Sequence, residues 1–268
     1  MKTLICTLFT IFILSCTMQA QDIYKGFFLK NNVVAHRGAW KNTKTPQNSV
    51  ASVKEAIRLG CAGVEIDVRM TSDGVLVLCH DDDHFGTHVD THTYAELVIT
   101  KLPNGENIPT LDAVLMELQK QSYTRLFLEI KPLSTKEKTI KSVEKIVQMV
   151  NSMGAVPWVY YISFDYDAMK KVRELSPAVP VAFLGGSKSP EELAADKIGA
   201  DYHQNEFGKK PDFIEKAKKL GVSVCAWTVN SGEDMDNLIK QEVDYITTDE
   251  PELLLSKNAQ TCTSGAKK

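Results

Sequence analysis

The chain has 268 residues, of which 31 are Lys or Arg and 34 are Asp or Glu, giving a formal net charge of -3. That near balance argues against a nucleic-acid binder or a polybasic membrane-surface binder, so recognition must be local. Setting aside residues 1–20 as a leader leaves about 250 residues, the usual size of one (β/α)8 barrel.

The leader has Lys2 near its start, a mostly apolar run from Leu4 to Leu14, and small or polar residues before Gln21-Asp22. This is the pattern of an export signal, too short to span a membrane. Cleavage after Ala20 gives a periplasmic or secreted protein. Ile13-Leu14-Ser15-Cys16 offers instead a lipoprotein signal, with the mature chain anchored through Cys16 and carrying no transmembrane helix. Cys61, Cys79, Cys225 and Cys262 would survive ordinary cleavage. Three of them lie in or beside apolar runs at no zinc-like spacing, so they read as buried small hydrophobes.

Val33-Val34-Ala35 runs into His36-Arg37-Gly38, a short apolar strand that ends in charge. Asn48 then reads as the cap of a helix over Ser49 to Leu59, with Val50, Val53 and Ile57 at helical spacing and Gly60 as its stop. The next strand, Gly63 to Val68, carries Glu65 and Asp67 two residues apart. On a strand they share one face, roughly 7 Å apart at Cα, and can converge on one cation. An all-oxygen ligand set favours Mg or Ca over Zn. Thr71-Ser72-Asp73-Gly74 marks a turn, so Val75 to Leu78 folds back as a hairpin and brings His80 level with Glu65 and Ile66.

Residues 68 to about 109 do not alternate as strand and helix, and read as a small hairpin-containing insertion after the second strand. Within it His80, His84, His88 and His92 recur every fourth residue, but Gly86, Thr87, Val89, Thr91 and Thr93 oppose a helix. His84, His88 and His92 are therefore expected to be structural or solvated.

From Thr110 helix and strand alternate to the end. Helices are expected over Leu111–Gln121, Thr135–Asn151, Tyr166–Leu175, Pro190–Ile198, Pro211–Leu220 and Gly232–Lys240. With the hairpin strand set aside, strands centred on 34, 66, 128, 161, 183, 202, 225 and 246 make eight. The fold expected is an α/β (β/α)8 TIM barrel over residues 21–257 as a single domain, followed by a polar tail at 258–268.

In such a barrel, chemistry sits at the carboxyl ends of the strands, where His36, Arg37, Glu65, Asp67, Glu129, Lys131 and Trp227 all fall. Each has a plain structural alternative. Glu129 and Lys131 could be a simple ion pair and Trp227 a core aromatic; Asp249, near the last strand end, reads as a cap for the helix at Pro251 rather than a ligand, and His203 as a satisfied buried histidine rather than part of the mouth.

His36-Arg37-Gly38, Pro46-Gln47-Asn48, Glu65-x-Asp67, Ser72-Asp73-Gly74, His80-Asp81, Glu129-Ile130-Lys131, Trp227-Thr228-Val229-Asn230 and Thr248-Asp249-Glu250-Pro251 together resemble the glycerophosphodiester phosphodiesterase family. Gln47 stands where that family usually has Glu, so no role needing a negative charge there carries over. The resemblance implies a small-molecule glycerophosphodiester substrate, yielding glycerol 3-phosphate and an alcohol. Phosphodiester cleavage needs charge neutralised, a nucleophile activated and a leaving alkoxide protonated. One divalent cation on Glu65, Asp67 and Glu129, an acid and base pair of His36 and His80, and substrate contacts from Arg37, Lys131 and Trp227 meet those needs. Two rivals stand beside this reading. A phosphoinositide- or sphingomyelin-cleaving lipase on a related barrel would need an apolar rim and intact lipid, and a non-catalytic exported binding protein would show no turnover.

Overall fold

The computed structural model describes residues 28–265, with side chains described through residue 260. The expected export signal, Cys16 included, falls outside the described residues. In chain order the strands are β1 (Val33–Ala35), β2 (Gly63–Met70), β3 (Leu76–Leu78), β4 (Asp83–His84), β5 (Thr87–His88), β6 (Arg125–Ile130), β7 (Val159–Ser163), β8 (Val181–Phe183), β9 (Gly199–His203), β10 (Val224–Trp227) and β11 (Tyr245–Thr248). The helices are α1 (Val50–Leu59), α2 (Tyr94–Leu97), α3 (Leu111–Leu118), α4 (Lys136–Ser152), α5 (Tyr166–Leu175), α6 (Pro190–Asp196), α7 (Gln204–Lys209), α8 (Phe213–Lys219), α9 (Gly232–Lys240) and α10 (Pro251–Gly265).

Eight parallel strands close in the order β1, β2, β6, β7, β8, β9, β10, β11, and the Val33 to Ile246 register returns the sheet to β1. This is the TIM barrel expected, with all eight predicted strand centres inside barrel strands. Every second side chain faces a different environment, because successive residues of a strand point to opposite faces. Val64, Ile66, Val68, Leu126, Leu128 and Ile130 face outward into the main core shared with the helices. Val34, Phe127, Tyr160 and Cys225 form a second cluster inside the barrel, with Phe127 and Tyr160 stacked at 4.7 Å. Gly63 is what allows this packing, since a Cβ there would collide with the Phe127 ring.

The helices follow from the same logic. α4 buries Val143, Ile146, Val147 and Val150, a spacing that puts all four on one face. Each such burial stabilises by roughly 1.5–3 kcal/mol. At α1 the cap is Ser49, whose side chain accepts from the Ser52 amide while the Ser52 hydroxyl accepts from the Ser49 amide. Asn48 is thus not the cap that the sequence suggested.

Strand lengths set the geometry of the mouth. β1 has three residues and β2 has eight, so β1 pairs only with the lower part of β2, at Gly63 and Val64. The upper part of β2 pairs antiparallel with β3, from Val68 with Leu78 to Met70 with Leu76. β3 therefore takes the place beside β2 that β1 leaves, and the Cys79 amide donates to the Asp67 carbonyl at 3.1 Å. Continuing this register sets His80 opposite Ile66, as the turn predicted. The turn itself is closed by the Gly74 amide on the Thr71 carbonyl, with Gly74 at φ +83.

The rest of the segment between β2 and α3 holds the two-stranded β4–β5 hairpin and the single turn of α2, over a small cluster of Val77, Val89, Leu97 and Ile108. Three differences from expectation are local. α3 stops at Leu118, the short helix α7 follows β9, and α10 continues to Gly265 through most of the polar tail. Cys61 and Cys225 are buried and Cys79 half-buried, all three as free thiols.

Candidate active site

Three carboxylates sit at the carboxyl mouth between β2 and β6. The register pairs Asp67 with Glu129, and one ligand atom from each of Glu65, Asp67 and Glu129 lies within 4.8 Å of the others. All three side chains are buried. Burial, and then the charges of Asp67 and Glu129, push the Glu65 carboxyl well above its usual range. Burial and then Asp67 push Glu129 up to about 7. Burial works the same way on Asp67, but Lys131, His80, Asn48 and Arg37 outweigh it and hold Asp67 below the usual range. Glu65 Oε2 accepts the Arg37 amide at 2.8 Å, whereas its buried Oε1 has no partner. Three buried carboxylates at this spacing resist joint ionisation without a compensating cation, so the donor set fits a hard divalent ion.

Cations close two sides. Lys131, 7% exposed, reaches Glu129 at 2.8 Å and Asp67 at 3.3 Å. The simple ion pair expected as its alternative does form, but it is part of the triad. Burial alone would lower Lys131; the two carboxylates outweigh it and raise it. Arg37 sets its Nε 3.5 Å from Asp67 Oδ2 and donates from Nη1 to Gln47 Oε1 at 2.8 Å. The backbone here is left-handed at Arg37 and Gly38, with φ of +54 and +85. Glycine is required at 38, because a Cβ would run into the Ser52 side chain.

Asn48 belongs to the site. Its Nδ2 donates to Asp67 Oδ2 at 2.8 Å and its Oδ1 accepts the Asp67 amide at 3.0 Å, clamping that residue from both ends. Asp249 was also misread as a helix cap. Its Oδ1 takes His36 Nδ1 at 2.8 Å and its Oδ2 takes Asn230 Nδ2 at 2.8 Å. Burial would raise the Asp249 carboxyl, but hydrogen bonds from His36 and Asn230 hold it below the usual range. His36 is thereby oriented with Nε2 left for the pocket. His80 places Nδ1 2.7 Å from Asp81 Oδ1, and burial first, with Lys131 and Arg37, lowers its pKa against the opposing pull of Asp67 and Asp81.

A pocket lined by His36, Arg37, Glu65, His80, Glu129 and Trp227 joins these groups. Trp227 is half-buried in its wall, donates from Nε1 to the Asp201 carbonyl at 2.9 Å, and meets Phe164 edge-on at 5.4 Å. His203 is half-buried too, caps α7 by accepting the Asn205 amide, and lies edge-on to Trp227. Phe164 and Asp201 were not anticipated. Asp201 is fully buried with both carboxyl oxygens unpartnered, and burial with the Glu129 charge pushes it up to about 8. His84, His88 and His92 lie elsewhere, on the β4–β5 hairpin and the turn after it. Their rings meet the Thr100 carbonyl, Asp90 and the His88 carbonyl respectively.

A parallel barrel with a carboxylate triad, two imidazoles and two cations at its mouth has the charge and the titratable groups that an enzyme acting on an anionic substrate needs. A profile of the glycerophosphoryl diester phosphodiesterase family matches residues 36–253. A glycerophosphodiester phosphodiesterase of Caldanaerobacter subterraneus is 30% identical over 242 residues, 85% of this chain and 98% of that one. A crystal structure of a glycerophosphodiester phosphodiesterase from Parabacteroides distasonis is 38% identical with a TM-score of 0.84, covering 88% of this chain and 99% of its own. A phosphodiesterase of Oleispira antarctica, solved with the product sn-glycerol-3-phosphate, is 26% identical with a TM-score of 0.73 over 87% of this chain and 97% of its own. The chain belongs to the glycerophosphoryl diester phosphodiesterase family. It is an enzyme, which sets aside the non-catalytic reading, and its substrate is a small glycerophosphodiester.

Proposed function

We propose that the enzyme cleaves its glycerophosphodiester to glycerol 3-phosphate and an alcohol, using one divalent cation, Mg or Ca, held by Glu65, Asp67 and Glu129. The buried triad carries this reading. A cluster whose Glu65 keeps an unpartnered buried oxygen is costly unless a cation or protons compensate it. When bound, the ion supplies positive charge to the phosphate and activates the attacking oxygen.

The protein's own groups divide the remaining work. Arg37 clamps a phosphoryl oxygen. Lys131 adds a positive charge, which it shares with the triad. His80, whose pKa burial lowers, accepts the proton of the nucleophile. His36, oriented by Asp249 at Nδ1, acts in its doubly protonated form and donates from Nε2 to the departing alkoxide. Trp227 and Phe164 wall the uncharged part of the substrate.

The bound product in the Oleispira relative supports glycerol 3-phosphate as the retained half. The leader further supports an exported enzyme, periplasmic, secreted or lipid-anchored through Cys16, which mass spectrometry of the mature amino terminus tests. The decisive assay is a panel of glycerophosphodiesters with and without chelator. Turnover lost on chelation and restored by Mg or Ca is expected, and full turnover in chelator would overturn the metal-dependent reading.

A further inference from the structure

We propose that Arg69 is a positioning residue for His80, a role that rests on the reading of His80 as a proton-transfer group. Arg69 lies on β2 two residues beyond Asp67 and is only 6% exposed. Its guanidinium forks onto the His80 carbonyl, with Nε at 3.2 Å and Nη2 at 3.0 Å. Nη2 also lies 2.7 Å from Asp82 Oδ1, and Nη1 makes a long contact of 3.5 Å with the Pro132 carbonyl. A guanidinium is costly to bury, and this one is turned mainly onto main chain. Its short contacts all fall on residues 80 and 82.

The need for such a clamp follows from where His80 sits. β3 ends at Leu78, so His80 lies beyond the strand. Its ring partner Asp81 is 80% exposed, and an exposed pair cannot by itself hold an imidazole in register. His36 also follows its strand, directly after β1, but its amide stays bonded to the Thr248 carbonyl at 2.9 Å and its ring partner Asp249 is only 20% exposed. The planar fork of Arg69 fixes the His80 peptide from the β2 side, and a lysine there would keep the charge but lose the fork.

The test is a double-mutant cycle. Arg69→Met and Arg69→Lys are made alone and with His80→Ala, and assayed on a glycerophosphodiester with saturating Mg²⁺ or Ca²⁺. Thermal melts and a calorimetric titration of the same ion check the fold and the triad. Each Arg69 variant should lower kcat, by roughly 10- to 100-fold for Met, the scale of a misplacement of about 1 Å. KM and ion affinity should stay within about twofold, and on the His80→Ala background the Arg69 change should cost nothing further. If Arg69→Met does not fold, Arg69→Lys carries the same cycle. Unchanged kcat, losses that add to those of His80→Ala, or ion affinity falling in step with kcat would overturn the role. If His80→Ala itself runs at the wild-type rate, the reading of His80 fails and takes this role with it. If His80→Ala is crippled and the Arg69 losses add, only the positioning role fails.

Discussion

His36 and His80 carry the same device, a carboxylate oxygen at Nδ1, at 2.8 and 2.7 Å. Their surroundings differ. The His36 dyad joins the ends of two adjacent barrel strands, and both side chains are 20% exposed. The His80 dyad lies between neighbours in sequence beyond a hairpin strand, with the ring 40% exposed and Asp81 80% exposed. One half of the proposed proton-transfer pair is thus built into the barrel frame, and the other is delivered to it. The same contact distance should have unequal worth, because a hydrogen-bonded charge gains strength as solvent is excluded.

The largest effect falls on the triad that both halves face. Asp67→Ala removes a ligand candidate that also holds Lys131 and Asn48, and should lower kcat/KM on the order of 10³-fold or more, several kcal/mol at about 1.36 kcal/mol per tenfold. Turnover that survives in this variant with chelator present would break the picture. Next come the imidazoles, with His36→Ala and His80→Ala each expected to cost on the order of 10²- to 10⁴-fold. A nitrophenyl leaving group should rescue His36→Ala and not His80→Ala; the reverse pattern would exchange their roles.

The comparison sharpens at the carboxylates. Asp249→Asn should cost roughly 10- to 100-fold, the usual loss when the group orienting a histidine is neutralised. Asp81→Asn should cost only a few-fold in the same assay, because solvent screens its partner. The pH profile gives a second reading. The lowered pKa of His80 puts its limb of kcat/KM below the ordinary imidazole value of about 6.5. Asp81 raises that pKa, so Asp81→Asn should move the limb to still lower pH. An upward shift would mean that the limb belongs to another group. Smallest of all, replacing His84, His88 and His92 together by Ala should leave kcat within about twofold, since none lines the pocket. Loss of bound ion in the folded triple variant would contradict this.

The barrel was legible because strand and helix periods alternate along the chain from Thr110, and because charge ends the apolar runs at His36, Glu65 and Glu129. The hairpin register was legible from the Asp73-Gly74 turn. Asn48 and Asp249 were misread for one reason. Each precedes a helix, and the local capping explanation sufficed until partners 19 and 213 residues away were in view. Asp201 was missed because barrel strands are buried on both faces, so their sequences do not reveal which alternate residues face the interior, and Phe164 because it lies just past the end of β7, where no strand period marks it.

The three-residue length of β1 has one last consequence. Since β3 stands in for β1 only along the upper part of β2, the segment bearing His80 can detach without breaking the barrel's closing ladder. Local opening and global unfolding should then separate in free energy, as cooperative subunits of a fold commonly do. Hydrogen exchange at the Leu78 and Cys79 amides, bonded to the Pro109 and Asp67 carbonyls, would run ahead of exchange along β6. The enzyme would lose activity on heating before it loses its barrel.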